Sequence, residues 1–207
     1  MRISEKKHPM NKIITFLFIS TLFLLLPKHA KAQYIKVGMK AGFNYTNFNG
    51  FGGTYGSRDS FHAGLFLEEV MTDVLSFRFE GNYSQKGPSM YVSNSQGGKS
   101  QAVLKLHYLD LPALAKYQIV EDIYIFGGAQ LSILLDKETK LLNKHESFVV
   151  NEIGSKAEVS GVIGASYDMF NRLTVDVRYS RGLLKLSPAG QKNFAFQASL
   201  GYLLFTR

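Results

Sequence analysis

The sequence predicts an all-β fold: an eight-stranded antiparallel up-and-down transmembrane β-barrel with short periplasmic turns and long extracellular loops. Three observations predict it. Eight stretches alternate apolar and polar residues, and the connections between them are alternately short and long. No stretch beyond the N-terminal segment is apolar for the roughly 20 residues that a membrane-spanning helix needs. In a membrane barrel, every second side chain meets lipid and the others fill the interior.

The alternation is clearest between residues 74 and 85, where Phe77 and Phe79 alternate with Arg78 and Glu80. One face of this stretch is apolar, and the other could not lie in lipid. A helix would spread both sets around its circumference, so the period of two indicates a strand. The same pattern predicts the strands 35–46, 61–71, 74–85, 103–118, 123–135, 157–168, 172–180 and 193–205.

The connections indicate the orientation of the barrel. Tight turns are predicted at 71–74, 120–122 and 168–172, whereas the connections 47–60, 87–102, 136–156 and 183–192 are long and rich in Gly, Asn, Ser and charged residues. Outer-membrane barrels place short turns in the periplasm and long loops outside. An even number of strands then places both termini of the barrel in the periplasm.

Residues 1–32 have the composition of a signal peptide that is removed on export. A basic segment precedes the apolar stretch Ile13–Pro27, and small residues at Ala30 and Ala32 predict cleavage before Gln33. A retained membrane anchor is the alternative, although a stretch of fifteen residues is short for a spanning helix of about 20. The remaining residues, 33–207, form one barrel domain, located in the bacterial outer membrane.

Charge and cysteine content exclude several classes of protein. The formal net charge of +8 falls to +3 once residues 1–32 are removed, so the basic character gives no ground for nucleic-acid binding. The chain has no cysteine, which excludes a disulfide framework and a thiolate metal site. We expect neither a cofactor nor a metal, since His62, His107 and His145 are far apart and lack ligand spacing.

Several residues qualify the simple strand pattern. Pro112 falls within a strand and predicts a bulge or kink there. Lys105 and His107 fall on the outward register, so this end of their strand should rise above the bilayer. Aromatic residues near strand ends predict two interfacial girdles: Tyr34, Tyr45, Phe48, Tyr83, Tyr91, Tyr108, Tyr117, Tyr167, Phe170, Tyr179, Tyr202 and Phe205.

Four segments resemble one known family. These are Lys36–Tyr45 (KVGMKAGFNY), Glu80–Gly87 (EGNYSQKG), Tyr108–Tyr117 (YLDLPALAKY) and Val177–Leu183 (VRYSRGL). They are similar to recurring segments of the PorT-like outer-membrane β-barrel proteins and follow in the same order over nearly the whole of residues 33–207. The resemblance implies an outer-membrane barrel, and it implies as one possible role an accessory component of a protein-secretion system.

The predicted inward face carries twelve charged or titratable residues: Lys36, Lys40, His62, Glu68, Arg78, Glu80, Asp110, Lys116, Glu158, Asp168, Asp176 and Arg178. An eight-stranded barrel is just wide enough for side chains to fill, so we expect these charges to pair across the lumen and plug it. Porins that leave an aqueous channel use about 16–18 strands, which argues against a transport pore.

The sequence offers one enzymatic alternative and one candidate recognition surface. Ser57, Asp59, Ser60 and His62 could serve a lipid-modifying acyl transfer, or they could be turn residues and a lumen histidine. The first long loop carries Phe48, Phe51 and Tyr55, a composition suited to adaptable recognition. The 136–156 loop is either solvated or extended as a hairpin or short helix.

We therefore expect a monomeric, non-enzymatic barrel with a structural or interaction role. Its expected partners are outer-membrane lipid and other envelope or secretion proteins. A soluble, periplasmic lipocalin-like binding barrel is a further alternative, and it would place the apolar residues inside and the polar residues outside.

Overall fold

A computed structural model describes residues 34–49, 55–87, 89–93, 99–141, 147–148, 156–170, 172–183 and 192–207. The predicted signal peptide and much of the long connections lie outside the described residues. The side chains of residues 47–49, 55–56, 90–93, 99–102, 104, 139–141, 147–148 and 192 lie outside them too, although their backbone is described.

Eight long strands form the barrel. They are β1 (Tyr34–Asn49), β2 (Arg58–Val70), β3 (Leu75–Lys86), β4 (Lys99–Val120), β5 (Ile123–Leu141), β6 (Ala157–Met169), β7 (Leu173–Gly182) and β8 (Lys192–Thr206). Each strand pairs antiparallel with its neighbour in sequence, and β8 returns to pair with β1. The predicted closed eight-stranded antiparallel barrel is confirmed.

Three short strands extend the sheet on the side of the long loops. Ser89–Ser93 pairs with the start of β4, and Tyr55–Gly56 pairs in turn with Ser89–Ser93. Ser147–Phe148 pairs with the end of β5. At this side β4 begins at Lys99 rather than at residue 103, and β5 ends at Leu141 rather than at residue 135. The alternation does not predict these outer ends, because they pair with loop segments that have no such pattern.

The tight turns lie where the sequence predicts them. In the first, the Thr72 hydroxyl accepts hydrogen bonds from the backbone N–H groups of Val74 (3.4 Å) and Leu75 (3.0 Å). The other two place Asp122 (φ 62°) and Phe170 (φ 50°) in the left-handed region. Among the described residues, these are the non-glycine residues with positive φ.

The outer face of the barrel is an apolar band. Phe43, Leu65 and Ile163 are 76%, 60% and 64% exposed. On β2 the band lies between Asp59 and Glu69, about 33 Å apart along the strand, or ~25 Å in height after a tilt of ~40°. That height matches the apolar band of outer-membrane barrels, which is about 25 Å. The lipocalin-like alternative is therefore wrong, because the apolar residues face outward.

The interior is polar, with a small apolar cluster of Leu114, Phe126 and Val162. At the seam that closes the barrel, Gly42 of β1 faces Ser199 of β8. A Cβ at Gly42 would overlap the carbonyl oxygen of Ala198. Glycine at this position therefore permits the close approach of β1 and β8. In the described part of the chain, no helix is long and apolar enough to span a membrane.

The predicted bulge at Pro112 is wrong. The pairing of β3 with β4 keeps one register on both sides of Pro112, with Asn82 opposite Asp110 and Phe79 opposite Ala113. The proline is accommodated in an interrupted stretch of that ladder, since no pairing is seen there between β3 and β4 although Pro112 stays paired with β5. The register shifts between β4 and β5 lie elsewhere, one between His107 and Tyr108 and one between Gln118 and Val120.

The shift beside His107 sets which residues of β5 lie opposite the outward Lys105 and His107 of β4. Beyond it, Asp136 lies opposite His107 and Glu138 lies opposite Lys105. Directly opposed residues of an antiparallel pair share one face of the sheet, so Lys105 and His107 each lie on the same face as a carboxylate residue of β5. The Tyr83 hydroxyl also contacts His107 Nδ1. The outward residues at this end of β4 therefore lie in a polar patch at the outer rim of the barrel.

The aromatic girdle prediction needs one correction. Tyr108 is fully buried in the lumen, where the Lys86 ammonium lies 5.1 Å from its ring centroid. Other aromatic residues do lie on the outer face near the extracellular ends of the strands, including Tyr179, whose ring is 4.9 Å from that of Phe196. The side chains of Phe48 and Tyr91 lie outside the described residues.

Candidate functional site

The residues predicted to face inward lie in the lumen. Ten of the twelve are buried, whereas Lys36 and Asp168 are half-buried at the periplasmic mouth. The two-residue period positions them, because all inward residues of a strand share the same parity until a register shift intervenes. The strands then bring together charges that are far apart in the sequence.

The centre of the lumen is crossed by ion pairs between opposite walls. Arg178 on β7 donates to both carboxylate oxygens of Glu80 on β3, at 2.8 and 2.9 Å. The Lys40 ammonium lies 3.3 Å from Glu80 and 2.9 Å from Asp176. Asp176 also accepts a hydrogen bond from Arg78 at 3.1 Å. It is therefore paired with a cation on β1 and with a cation on β3.

The same set of contacts continues towards the periplasm. Arg78 donates to Glu68 at 2.7 Å, and Lys116 lies 3.1 Å from the same carboxylate. The Ser76 hydroxyl donates to its other oxygen at 3.0 Å. We refer to the seven connected residues as the central charge cluster: Lys40, Glu68, Arg78, Glu80, Lys116, Asp176 and Arg178.

Burial makes the central charge cluster energetically demanding. Each of its members is at most 5% exposed. Removing an ion from water costs several kcal/mol, and only close pairing with full hydrogen bonding compensates for it. Aromatic rings add support, since the Arg78 guanidinium lies 4.6 Å from the Phe66 ring centroid and the Lys116 ammonium lies 4.3 Å from that of Tyr124. The cluster therefore fills the width of the barrel.

A second group of charges lies towards the extracellular end. Lys86 Nζ donates to Asp110 at 2.9 Å and to the Ser132 hydroxyl at 3.3 Å. Glu158 is buried and accepts a hydrogen bond from Ser160 at 3.5 Å. Lys86 was missed by the sequence reasoning, because the predicted strand ended at residue 85. The even-numbered inward parity of β3 continues through it and could have identified it.

His62 lies among uncharged polar residues on one side of the lumen. Asn44 Nδ2 donates to the Ser84 hydroxyl and to the Gln85 carbonyl oxygen, each at 3.0 Å. The side-chain oxygen Oδ1 of Asn44 is therefore the acceptor of two hydrogen bonds, one from Gln197 Nε2 at 2.8 Å and one from His62 Nδ1 at 2.6 Å. This arrangement requires the proton of His62 to be on Nδ1.

The four residues considered for acyl transfer are not assembled into a triad. Asp59 is exposed on the outer face, whereas Ser60 and His62 are buried in the lumen. The Ser60 hydroxyl donates to the Gln85 carbonyl oxygen at 2.6 Å rather than to a base. Ser57 is half-buried and lies just before the start of β2. Among the residues that the structure describes, no group of three or more His, Asp or Glu side chains could hold a metal ion.

The predicted recognition residues of the first loop lie largely outside the described residues. Phe51 is not described at all. Phe48 and Tyr55 are described by their backbone alone, at the end of β1 and in the short strand Tyr55–Gly56.

Comparison with known families gives a match over most of the chain. The model of the outer membrane protein beta-barrel domain matches residues 28–187. The chain belongs to this family. As a member, it is an integral protein of the bacterial outer membrane, and its polar lumen and apolar outer face are those of an outer-membrane barrel. No match was found among curated proteins.

Solved structures support the fold. Ail, the attachment invasion locus protein of Yersinia pestis, matches with a TM-score of 0.51 and 15% sequence identity, over 82% of this chain and 98% of Ail. Neisserial surface protein A matches with a TM-score of 0.52 and 13% identity, over 80% of this chain and 96% of that protein. At these identities the likeness extends to the fold of the outer-membrane barrel alone.

Proposed function

We propose that this outer-membrane barrel is a non-conducting, non-enzymatic monomer that acts through its extracellular loops. The central charge cluster carries this proposal. Its ion pairs join opposite walls of the lumen, as between Glu80 and Arg178. A water-filled pathway would require several of these pairs to separate and to lose their charge-assisted hydrogen bonds.

The loop side of the barrel is its best-suited working surface. The sheet continues past the barrel there, through the outer ends of β4 and β5 and three short strands. Such an extension would hold the long loops clear of the membrane. We propose Phe48, Phe51 and Tyr55 as contact residues for a partner, because aromatic side chains contribute most to recognition surfaces.

Conductance across a planar lipid bilayer tests this function. Purified protein should insert without stepwise conductance, because the lumen is filled. A variant with Lys40→Ser, Glu80→Ser, Asp176→Ser and Arg178→Ser removes two cations and two anions together, and it should conduct if it folds. Heat-modifiable migration on a gel would show that this variant has folded. Stable conductance steps as large as those of a porin, recorded with the natural protein, would contradict the proposal.

We also propose a narrower role, as an accessory component of a protein-secretion system. The resemblance of segments such as Tyr108–Tyr117 to PorT-like proteins supports it. Chemical cross-linking in intact cells should then join the protein to other envelope proteins. A loop variant with Phe48→Ser, Phe51→Ser and Tyr55→Ser should lose these products, while Phe43→Leu on the lipid face should keep them. Equal cross-linking by both variants would contradict the loop assignment.

Two further expectations belong to this proposal. Mass spectrometry of the protein from the outer membrane should give a chain that begins at Gln33, after removal of residues 1–32. A chain that retains residues 1–32 would contradict the signal peptide.

His62→Ala should leave the lipid A of the host unchanged, because we infer no lipid-modifying activity.

A further inference from the structure

A cavity of about 300 Å³ opens at the periplasmic mouth of the barrel. Its lining is largely polar and includes the charged groups of Lys36 and Asp168, with aromatic rings from Tyr34, Phe66 and Tyr124. This volume is at the lower end of the range for small-molecule sites, about 300–1,000 Å³. The periplasmic cavity is separate from the loops, so it could serve a different partner.

Lys36 and Asp168 are paired more loosely than the charges of the central cluster. Lys36 Nζ lies 3.9 Å from Asp168 Oδ2, beyond hydrogen-bonding distance. The other carboxylate oxygen of Asp168 accepts from the Thr174 hydroxyl at 2.9 Å. In the central charge cluster, by contrast, the pair of Arg78 and Glu68 is 2.6 Å apart. An ammonium with three donors and a carboxylate oxygen thus border the cavity without a direct hydrogen bond to each other.

The floor of the cavity is held by contacts with the central charge cluster. Arg78 contributes to it, and its guanidinium is fixed by ion pairs to Glu68 and Asp176. Tyr124 is held by the Lys116 ammonium, 4.3 Å from its ring centroid. The same buried cluster that fills the lumen therefore preforms the periplasmic cavity, and a preformed cavity lowers the ordering cost of binding.

We propose that this periplasmic cavity binds the zwitterionic end of an α-amino acid. The Lys36 ammonium donates to the carboxylate of the ligand, and Asp168 accepts from the ammonium of the ligand. The aromatic rings of the cavity contact the side chain of the ligand. The gap of 3.9 Å between Nζ and Oδ2 allows each to turn to one group of the ligand, at the distance of about 2.7–2.9 Å typical of charge-assisted hydrogen bonds.

The charges of the cavity favour a zwitterion over a simple ion. An anion would meet Asp168 and Asp122, and a cation would meet Lys36 and Arg172, which also border the cavity. The buried Arg78 is already paired. A ligand that carries one charge of each sign satisfies both Lys36 and Asp168. Two periplasmic sources share this chemistry: free amino acids, and cell-wall peptides with a zwitterionic side-chain end.

Calorimetric titration of the detergent-solubilised protein with L- and D-phenylalanine tests the proposal. N-acetylphenylalanine retains only the negative charge and phenylalanine amide only the positive charge, so each should bind at least tenfold more weakly. Lys36→Met and Asp168→Asn should each weaken phenylalanine binding at least tenfold. Lys105→Met on the outer face is the matched control and should have no effect.

Two outcomes would overturn the proposal: no binding of phenylalanine at millimolar concentration, or equal binding of its singly charged derivatives. A cell-wall peptide with a free zwitterionic side-chain end, compared with the same peptide amidated at that end, distinguishes the two sources. Preference for the free end supports the cell wall as the source, and binding of phenylalanine alone supports free amino acids. The bilayer conductance experiment is independent of either result.

Discussion

Glu80 and Arg178 lie on β3 and β7, the diametrically opposite strands of the barrel, and join them through two hydrogen bonds of 2.8 and 2.9 Å. A bidentate pair of this kind fixes both the distance and the relative orientation of its two side chains. Because the pair spans the lumen, it links walls that share no backbone hydrogen bonds. The lumen of this barrel is thus a structural core built from charges.

Removal of Arg178 should destabilise the barrel strongly. Arg178→Met leaves Glu80 buried with the Lys40 ammonium as its remaining cation, and breaking such a pair typically costs about 3–5 kcal/mol of unfolding free energy. Urea unfolding in detergent micelles, followed by circular dichroism, measures this loss. Arg181→Met removes an exposed cation three residues further along β7 and should change stability by about 0.5 kcal/mol or less. Equal stability of both variants would contradict a structural role for the pair.

The seam between β1 and β8 should tolerate no side chain at Gly42. A Cβ at this position would overlap backbone atoms of β8, including the Ser199 Cα at 2.6 Å. Gly42→Ala should therefore cost about 1–3 kcal/mol, and Gly42→Val more. Gly81→Ala is the control, since a Cβ there meets nothing within 4 Å. The fraction of folded, heat-modifiable protein after refolding is the measurement, and a Gly42→Val variant that refolds like Gly81→Ala would refute the close approach.

A cation in the middle of the apolar band should be costly. Leu65 is 60% exposed on the outer face of β2, between the charges of Asp59 and Glu69. Leu65→Lys should destabilise the barrel in a lipid bilayer by about 2–4 kcal/mol, whereas Asp59→Lys at the interface should cost at most about 1 kcal/mol. Unfolding titrations in lipid vesicles compare the two. A similar cost for both would mean that Leu65 does not face the hydrocarbon.

Much of the fold could be predicted from the sequence because a strand repeats every two residues. Parity alone assigns Arg78 and Glu80 to one face and Phe77 and Phe79 to the other. The tight turns also carry a local signal, so the order and orientation of the strands followed. Lys86 was missed because the alternation weakens where the strand leaves the membrane.

The partners within the lumen could not be predicted in the same way. Lys40 and Asp176 are 136 residues apart, and they meet at 2.9 Å because the closed sheet brings β1 near β7. Such contacts depend on the stagger between strands around the whole barrel. The register shift at His107 likewise has no marker in the sequence, and Pro112, which seemed to provide one, stays in register.

Cysteine mapping tests the central claim most directly, because the chain has no cysteine of its own. Three single variants are treated in intact cells with a maleimide that does not cross the outer membrane. Lys156→Cys lies exposed before β6 on the extracellular side, Asp73→Cys lies exposed in a periplasmic turn, and Ser132→Cys lies fully buried in the lumen. A filled outer-membrane barrel predicts labelling of Lys156→Cys alone. Labelling of Ser132→Cys would show an open lumen, and labelling of Asp73→Cys would contradict the orientation.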